Sequence, residues 1–369
     1  MGINEIVIYI MVIFMIVGAI DKMFKNKFGL GQHFDEGLMA MGSLALAMIG
    51  IIVMAPVIAD VLSPVIVPIY TFLGADPAMF AGSLLAIDMG GLQLAQEMAL
   101  NNDAAMFSGV ILGAMMGATI VFSIPVSLGI IRKEDQRFLA TGMLAGFIAI
   151  PVGAIIGGLV AGYSFGMVIM NLIPIFILAA LVILGLWKIP ERMIRGFTIF
   201  GHGVVIVATA GLAIGIIDVL TGLTVIPGIA PLSEGIEVVG SIAIVLAGAF
   251  VMVEVITRVF KKPLMQVGKL LGMNEIAAAG MVATLANNIA MFNLMKDMDN
   301  RGKIINVAFS VPAAFVLGDH LGFAAGVARE MIFPMIVGKL AGGIFAIFIA
   351  IIIANMILGK QDKKAAASS

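Results

Sequence analysis

Inside otherwise apolar stretches of this chain stand a few polar residues that could do chemistry. Asp88 precedes a glycine pair in Ile87-Asp88-Met89-Gly90-Gly91-Leu92, and Gln93, Gln96 and Glu97 follow it. Asn287 and Asn288 lie in Leu285-Ala286-Asn287-Asn288-Ile289-Ala290, with Asn293 beyond, and Asp319-His320 stand between Gly318 and Gly322. A carboxylate in such surroundings is a binding candidate by default, because a charge held away from water is costly unless something answers it. Asp88 suits a cation, and the amides of Asn287, Asn288, Asn293 and Gln93 offer both donors and acceptors. Gln93 and Glu97, four apart, share a helical face and could line a cavity together. Asp319-His320 could ligate a solute or relay protons, since imidazole titrates near neutrality. Each has a plainer alternative: a helix-capping Asp88, turn-forming Asn287 and Asn288, or an interhelical network around Asp319-His320. Lys339, about two turns into the last apolar stretch, could neutralise one of the acids, but snorkelling to the interface is the default for a lysine there.

Other chemistries are excluded. With no cysteine there are no disulfides, thiolate metal sites, iron–sulfur clusters or cysteine nucleophiles. Only three histidines are present, none at zinc-helix spacing, so neither metal nor cofactor is expected. Ser310, Asp319 and His320 make no hydrolytic trio, because adjacent residues on a helix diverge by about 100°. No Walker loop is present. A net charge of −1 and a single Trp leave no footprint for nucleic acid. The expected class is a non-enzyme.

The elements that must position these residues are helices in a bilayer. Of the 369 residues 62% are hydrophobic and 12% charged, against about 25% charged in a soluble domain. Continuous apolar runs of about 20 residues or more fit spanning helices and not barrel strands. Nine are expected: 4–20, 37–60, 106–131, 138–163, 166–187, 196–222, 236–260, 304–328 and 331–356. The first lacks a basic flank and reads as a retained helix, not a cleavable signal. All of the 21 Lys and Arg except Arg329 and Lys339 fall in alternate loops or the final tail. The bias of basic residues to the cytoplasmic side then places the N-terminus outside and the C-terminus inside. In that orientation 64–98 and 271–298 make no net crossing, so each is expected to be a re-entrant helical hairpin. Their tips fall at Gly90-Gly91 and Asn287-Asn288, pairs that readily adopt the positive φ of a tight turn.

The chain also matches itself at an offset of 198. Residues 36–62, EGLMAMGSLALAMIGIIVMAPVIADVL, lie over 234–260, EGIEVVGSIAIVLAGAFVMVEVITRVF, and the register superposes the two hairpins. The charge pattern makes the two copies opposite in hand. The expected fold class is an all-α integral membrane protein of two inverted-topology repeats, about nine spanning helices plus two re-entrant hairpins. The first repeat is expected over 1–165, a linking helix over 166–187, the second repeat over 188–358 and a cytoplasmic tail over 359–369. Secondary transporters are built this way, with substrate sites near the midplane between repeats. A duplicated membrane sensor or scaffold without flux is the alternative from another class.

Three segments, FDEGLMAMGSLALAMIGIIVMAPVIADVLSPVIVP, LLAIDMGGLQLAQEM and LANNIAMFNLMKDMDNRGKIINVAFSVPAAFVLGDHLGF, resemble the ethanolamine permease family encoded with bacterial ethanolamine-utilisation genes. The resemblance runs over nearly the whole chain. It implies a bacterial cytoplasmic (inner) membrane protein that carries ethanolamine inward for catabolism. The residue chemistry is compatible: ethanolamine is mostly an ammonium ion at neutral pH, and a carboxylate such as Asp88 is its natural partner. Alternating access by facilitated diffusion along the membrane potential is the expected mechanism. Proton or sodium coupling, and another small cationic or polar solute, are the alternatives. The expected partners are the solute and the lipid bilayer; self-association into a homo-oligomer is left open.

Overall fold

A computed structural model describes residues 2–366 of the chain, so the last three residues of the expected tail lie outside the described residues. Those described are helical or in turns, without strand. The elements are α1 (Ile3–Met23), α2 (Gly31–Phe72), α3 (Ala78–Leu84), α4 (Gly91–Met98) and α5 (Asn102–Met106). A π-helical stretch over 107–123 leads to α6 (Ile124–Ile130), followed by α7 (Gln136–Val160), α8 (Phe165–Lys188) and α9 (Pro190–Thr221). Then come α10 (Leu232–Leu270), α11 (Glu275–Ala286), α12 (Asn288–Leu294), α13 (Asn300–Ala313), α14 (Asp319–Val327) and α15 (Ile332–Ala366).

Among the described residues eight helical stretches are long and apolar enough to cross a membrane. The ninth expected span, 304–328, is not one helix. It breaks between α13 and α14, over 314–318, so Asp319 and His320 open a helix where a mid-helix position is expected. The cause is local. Pro312 removes an amide donor, Phe315 takes a φ of 62°, and Gly318 adopts φ −100°, ψ −125°. Such backbone does not continue an α-helix. The break is held from across: the amides of Phe315 and Leu317 donate to the carbonyls of Thr284 and Leu285 at 3.1 and 2.9 Å. Those carbonyls belong to the last turn of α11, which has no intrahelical donors to satisfy them.

Within the expected hairpin 64–98 the structure has a broken helix over a shorter range. Residues 64–72 prolong α2 without interruption despite Pro56, Pro64 and Pro68, and α10 likewise runs past residue 260 to Leu270. What remains is α3 and α4 around a break, and α11 and α12 around another. At the first tip Gly90 takes a φ of 78°, as expected of a glycine turn. Its partner Gly91 already begins α4. The second tip differs from expectation: Asn287 is extended, at φ −157° and ψ 126°, and its side chain accepts from the amide of Ile289 at 2.8 Å. An asparagine that caps the next helix does not need the left-handed turn.

The π-helical stretch is the most enclosed part of the bundle; its residues 107–117 are all buried. It receives the first tip at very close range. A Cβ on Gly117 would stand 1.9 Å from the Leu85 carbonyl, and one on Gly82 2.0 Å from the Ser108 carbonyl, so only glycine lets these backbones meet. Around it, α2 packs on α10 and α7 on α15 and α13. Helices α1 and α9 stand at the periphery with apolar, exposed faces, the arrangement expected where lipid replaces water.

Candidate functional site

The three helix breaks converge on one cavity of about 730 Å³. Asp88 and Met89 reach it from the α3–α4 break, Asn287 and Ile289 from the α11–α12 break, and Phe315 and Asp319 from the α13–α14 break. Val121, Phe122, Pro125 and Val126, from the end of the π-helical stretch into α6, form another wall. Residues of α2 (Ser43, Leu44, Leu46, Ala47) and α9 (Thr198, Gly201, His202, Val205, Ala208) complete it. Ser43, Leu46, His202 and Val205 are exposed, so the cavity reaches the surface of the bundle beside α2 and α9. Its volume is ordinary for a small-molecule site. Its two carboxylates, Asp88 and Asp319, both come from the breaks.

Each break supplies something that an unbroken helix could not. In a continuous helix the polar backbone is spent on itself; at a break, helix ends and short polar side chains face the cavity together. Asp88 sits in a single 3-10 turn between α3 and α4 and remains partly exposed, at 22% of its side chain. Asp319 is the first residue of α14, where the helix dipole favours a negative charge. Phe315 rests edge-on against Phe122, with centroids 5.7 Å apart, and its ring lies 5.1 Å from the imidazole of His320. The two phenylalanines offer a cation an aromatic surface beside the carboxylates.

Behind this wall runs a buried polar chain. His320, 1% exposed, turns Nε2 toward Asp88 Oδ1 at 3.9 Å. Its Nδ1 lies 3.0 Å from Nζ of Lys339, which is also 1% exposed. Lys339 donates in addition to the carbonyl of Ala114 in the π-helical stretch. The lysine therefore does not snorkel, as the default holds. It points inward, because α15 packs its first turns against that stretch and buries the side chain. Thr119, nearby in the sequence of that stretch, donates to Met115 and Val311 carbonyls at 2.7 and 3.1 Å. A π-helix recurs at functional positions in helical proteins because its wide turn redirects carbonyls and side chains.

Of the residues singled out from the sequence, Asp88, Asn287 and Asp319 are brought together at the cavity, with Gly90 making the turn beside Asp88. His320 stands one layer behind. Asn288 is fully buried, donating from Nδ2 to Ser123 Oγ at 2.7 Å while its Oδ1 has no partner. Gln93 is half-buried in α4, outside the lining, also with an unpartnered Oε1. Glu97 and Asn293 are exposed and outside the lining, the latter donating to the Ile289 carbonyl at 3.0 Å. Phe122, Phe315 and His202 enter the picture only with the structure, and Lys339, expected to snorkel, enters as a buried group. For Lys339 a signal existed, a lone ionisable residue in an apolar run. For the two phenylalanines, among 23 in the chain, there was none.

Among the described residues no group of three His, Cys, Asp or Glu is placed to hold a metal ion. The comparison with known proteins points to a carrier. Residues 3–353 match the family model described as "Ethanolamine utilisation protein, EutH". The chain is 69% identical over 364 residues to a "Probable ethanolamine permease EutH" of Listeria monocytogenes serotype 1/2a (strain 10403S), covering 99% of this chain and 98% of that one. It is 54% identical over 403 residues to the protein of the same name from Escherichia coli (strain K12), covering 99% and 98%. It is 50% identical over 368 residues to the "Uncharacterized protein YxeR" of Bacillus subtilis (strain 168), over the full length of both. No solved structure matches the chain. A match of this extent, from the first helix into the last, leaves no segment of the bundle unaccounted for, and the chain belongs to the EutH family of ethanolamine utilisation proteins.

Proposed function

We propose that the chain carries ethanolamine, as ethanolammonium, across the bacterial cytoplasmic membrane, and that the cavity at the helix breaks is its binding site. The observation that carries this reading is the convergence of two carboxylates, Asp88 and Asp319, in one largely apolar cavity. An ammonium group brings three donors and one positive charge and takes its place between the acids. The amide of Asn287 supplies the complement for the hydroxyl. Phe122 and Phe315 shield the pair from water. Gln93, Glu97, Asn288, Asn293 and His320 remain part of the proposal at one remove: His320 and Asn288 position cavity groups, and the other three flank the tips. Family membership supports a permease and not an enzyme.

The architecture behind this function is two inverted repeats, with α8 linking them. In its favour, α2 and α10 end at residues 72 and 270, α5 and α13 begin at 102 and 300, and α1 and α9 end near 23 and 221. All three pairs lie at the offset of 198 found in the sequence, to within a residue. Helices α2 and α10, which correspond at that offset, also pack on each other, as do α7 and α15. A two-fold axis through the centre of the bundle produces such self-pairing. The broken helices α3–α4 and α11–α12 are then re-entrant hairpins from opposite faces, and the fold is that of an alternating-access carrier. Loop charges orient it with the N-terminus outside. The cavity mouth lies beside Ser43, Thr198 and Pro125, each near a helix end that borders a basic loop. In that orientation the mouth faces the cytoplasm, which favours reading this state as open to the inside.

Energetically the substrate's own charge is sufficient: an inside-negative potential drives a monocation inward at about 2.3 kcal/mol per 100 mV. The test is uptake of labelled ethanolamine into proteoliposomes of the purified protein, under an imposed inside-negative potential without ion gradients. External pH is held slightly acidic to suppress leakage of the neutral amine. Saturable, potential-dependent uptake is the expected result. Flux only after a sodium or proton gradient is added would replace uniport by coupled transport, and no flux under any gradient would remove the transport reading.

A further inference from the structure

Around the cavity the formal count of acids and bases is uneven: two carboxylates against one buried lysine. Of the titratable side chains lining the cavity, Asp88 and Asp319 are the acids, and His202 stands exposed at the mouth. Behind the acids Lys339 is buried, with His320 Nδ1 and the Ala114 carbonyl as its polar contacts and no carboxylate within ion-pair distance among the described residues. An ammonium can only donate, so the Nδ1 that faces it must accept. A neutral imidazole then carries its proton on Nε2, the nitrogen turned toward Asp88.

We propose that Lys339 is a built-in cation whose charge, presented through His320, answers one of the two cavity carboxylates, leaving the site one positive charge short and so selective for monovalent cations. This rests on the reading of the cavity as the substrate site. Two acids without the lysine would leave the site two charges short and would favour a dication. Two acids with a second fixed cation would have nothing left for a substrate. Charge interactions decay only as the inverse of distance and are weakly screened inside a protein, so the intervening imidazole transmits the lysine's field and does not block it. Direct contact is avoided for a functional reason: a lysine touching Asp88 would occupy the place where the substrate's ammonium must sit. The imidazole keeps the fixed cation behind the wall. Lys339 is thus a positioning and specificity residue, acting through His320 and never touching the substrate.

The test is charge exchange read as substrate valency. Uptake of labelled ethanolamine is measured in proteoliposomes of wild type, Asp88→Asn, Lys339→Met and the double variant, with 1,3-diaminopropane, a dication at neutral pH, as competitor. Wild type is expected to transport ethanolamine with little inhibition by the diamine. Asp88→Asn leaves one acid against one lysine, and uptake should fall by about 30-fold or more, the scale of a desolvated charge left without its partner. Lys339→Met should make the diamine a competitor at least about tenfold more effective than in wild type. The double variant restores the net charge with Asp319 alone, and uptake should recover to within about tenfold of wild type while staying selective for the monocation. It removes a buried cation together with an acid that faces it, so it remains informative where Lys339→Met does not fold. A double variant no better than Asp88→Asn, or a folded Lys339→Met with wild-type discrimination against the diamine, overturns this inference while leaving the carrier intact. Wild type without saturable ethanolamine uptake instead overturns the reading of the cavity itself, and this inference with it.

Discussion

At the scale of single residues, the cavity is a set of short polar side chains whose work depends on which group holds each in place. Asn287 is the clearest case, because it does two things at once. It lines the cavity, and its side chain caps α12 through the Ile289 amide. Replacing it with alanine removes a cap worth about 1 kcal/mol and loosens the tip that presents it. Asn287→Ser keeps an oxygen for the cap but shortens the reach into the cavity. The expected outcome separates the two roles: Asn287→Ala lowers both the melting temperature and ethanolamine affinity, whereas Asn287→Ser lowers affinity alone. Thermal melts alongside uptake kinetics check it, and equal effects of both variants on stability would deny the capping role. Asp319→Asn gives a second outcome at this scale. It removes one of the two cavity acids at no cost in volume, so a folded protein with uptake reduced by about 30-fold or more is expected. Uptake within a factor of two of wild type would remove Asp319 from the site.

Helices and their breaks are where the sequence was half legible. Asp88 with Gly90-Gly91, and Asn287-Asn288, announced two breaks, because a glycine pair and an asparagine pair have few other reasons to interrupt an apolar run. The third break, at 314–318, was not announced. Pro312 is its only overt breaker, yet Pro151, Pro174 and Pro263 sit within continuous helices of the same chain. The left-handed Phe315 is fixed by pairing with α11, a tertiary contact no local pattern encodes. Nor could 64–72 be told from a hairpin arm: loop charges imply only that 64–98 makes no net crossing, not where the preceding helix stops, and α2 runs on through Pro64 and Pro68. The inward turn of Lys339 depends on how α15 meets the π-helical stretch, which spacing along one helix leaves undetermined. Close approach at that stretch can be tested directly. Gly117→Ala would place a Cβ 1.9 Å from the Leu85 carbonyl, and overpacking of this kind costs about 1–3 kcal/mol or more. Gly129→Ala meets nothing within 4 Å and should be neutral or gain up to about 1 kcal/mol in helix propensity. Melting of the purified proteins in detergent reads both; a Gly117→Ala protein as stable as Gly129→Ala would mean that the tip does not dock as described.

For the whole molecule the central question is which face the cavity opens to, since an alternating-access carrier is defined by that change. One buried ion pair lies at the end that the proposed orientation makes cytoplasmic. Lys303 at the start of α13 meets Asp135, between α6 and α7, at 2.5 Å, and Asp135 is 2% exposed. The pair joins the two sequence halves near the basic loops. In the proposed orientation the mouth beside Ser43 and Thr198 lies at that same end, so solvent should reach it from the cytoplasm. The chain has no cysteine, so single cysteines can be introduced without a background. Ser43→Cys and Thr198→Cys should react with a membrane-impermeant thiol reagent in inside-out vesicles and be slow in right-side-out ones. Leu100→Cys, exposed at the opposite end of the bundle, should show the reverse. Ethanolamine should then slow labelling at Thr198→Cys and leave Leu100→Cys unchanged, because only the former lines the cavity. Reversed sidedness for all three would invert the orientation while keeping the fold. Labelling of Ser43→Cys and Leu100→Cys from the same side would go further: the two positions could not then lie at opposite ends of the bundle, and the repeats could not be inverted.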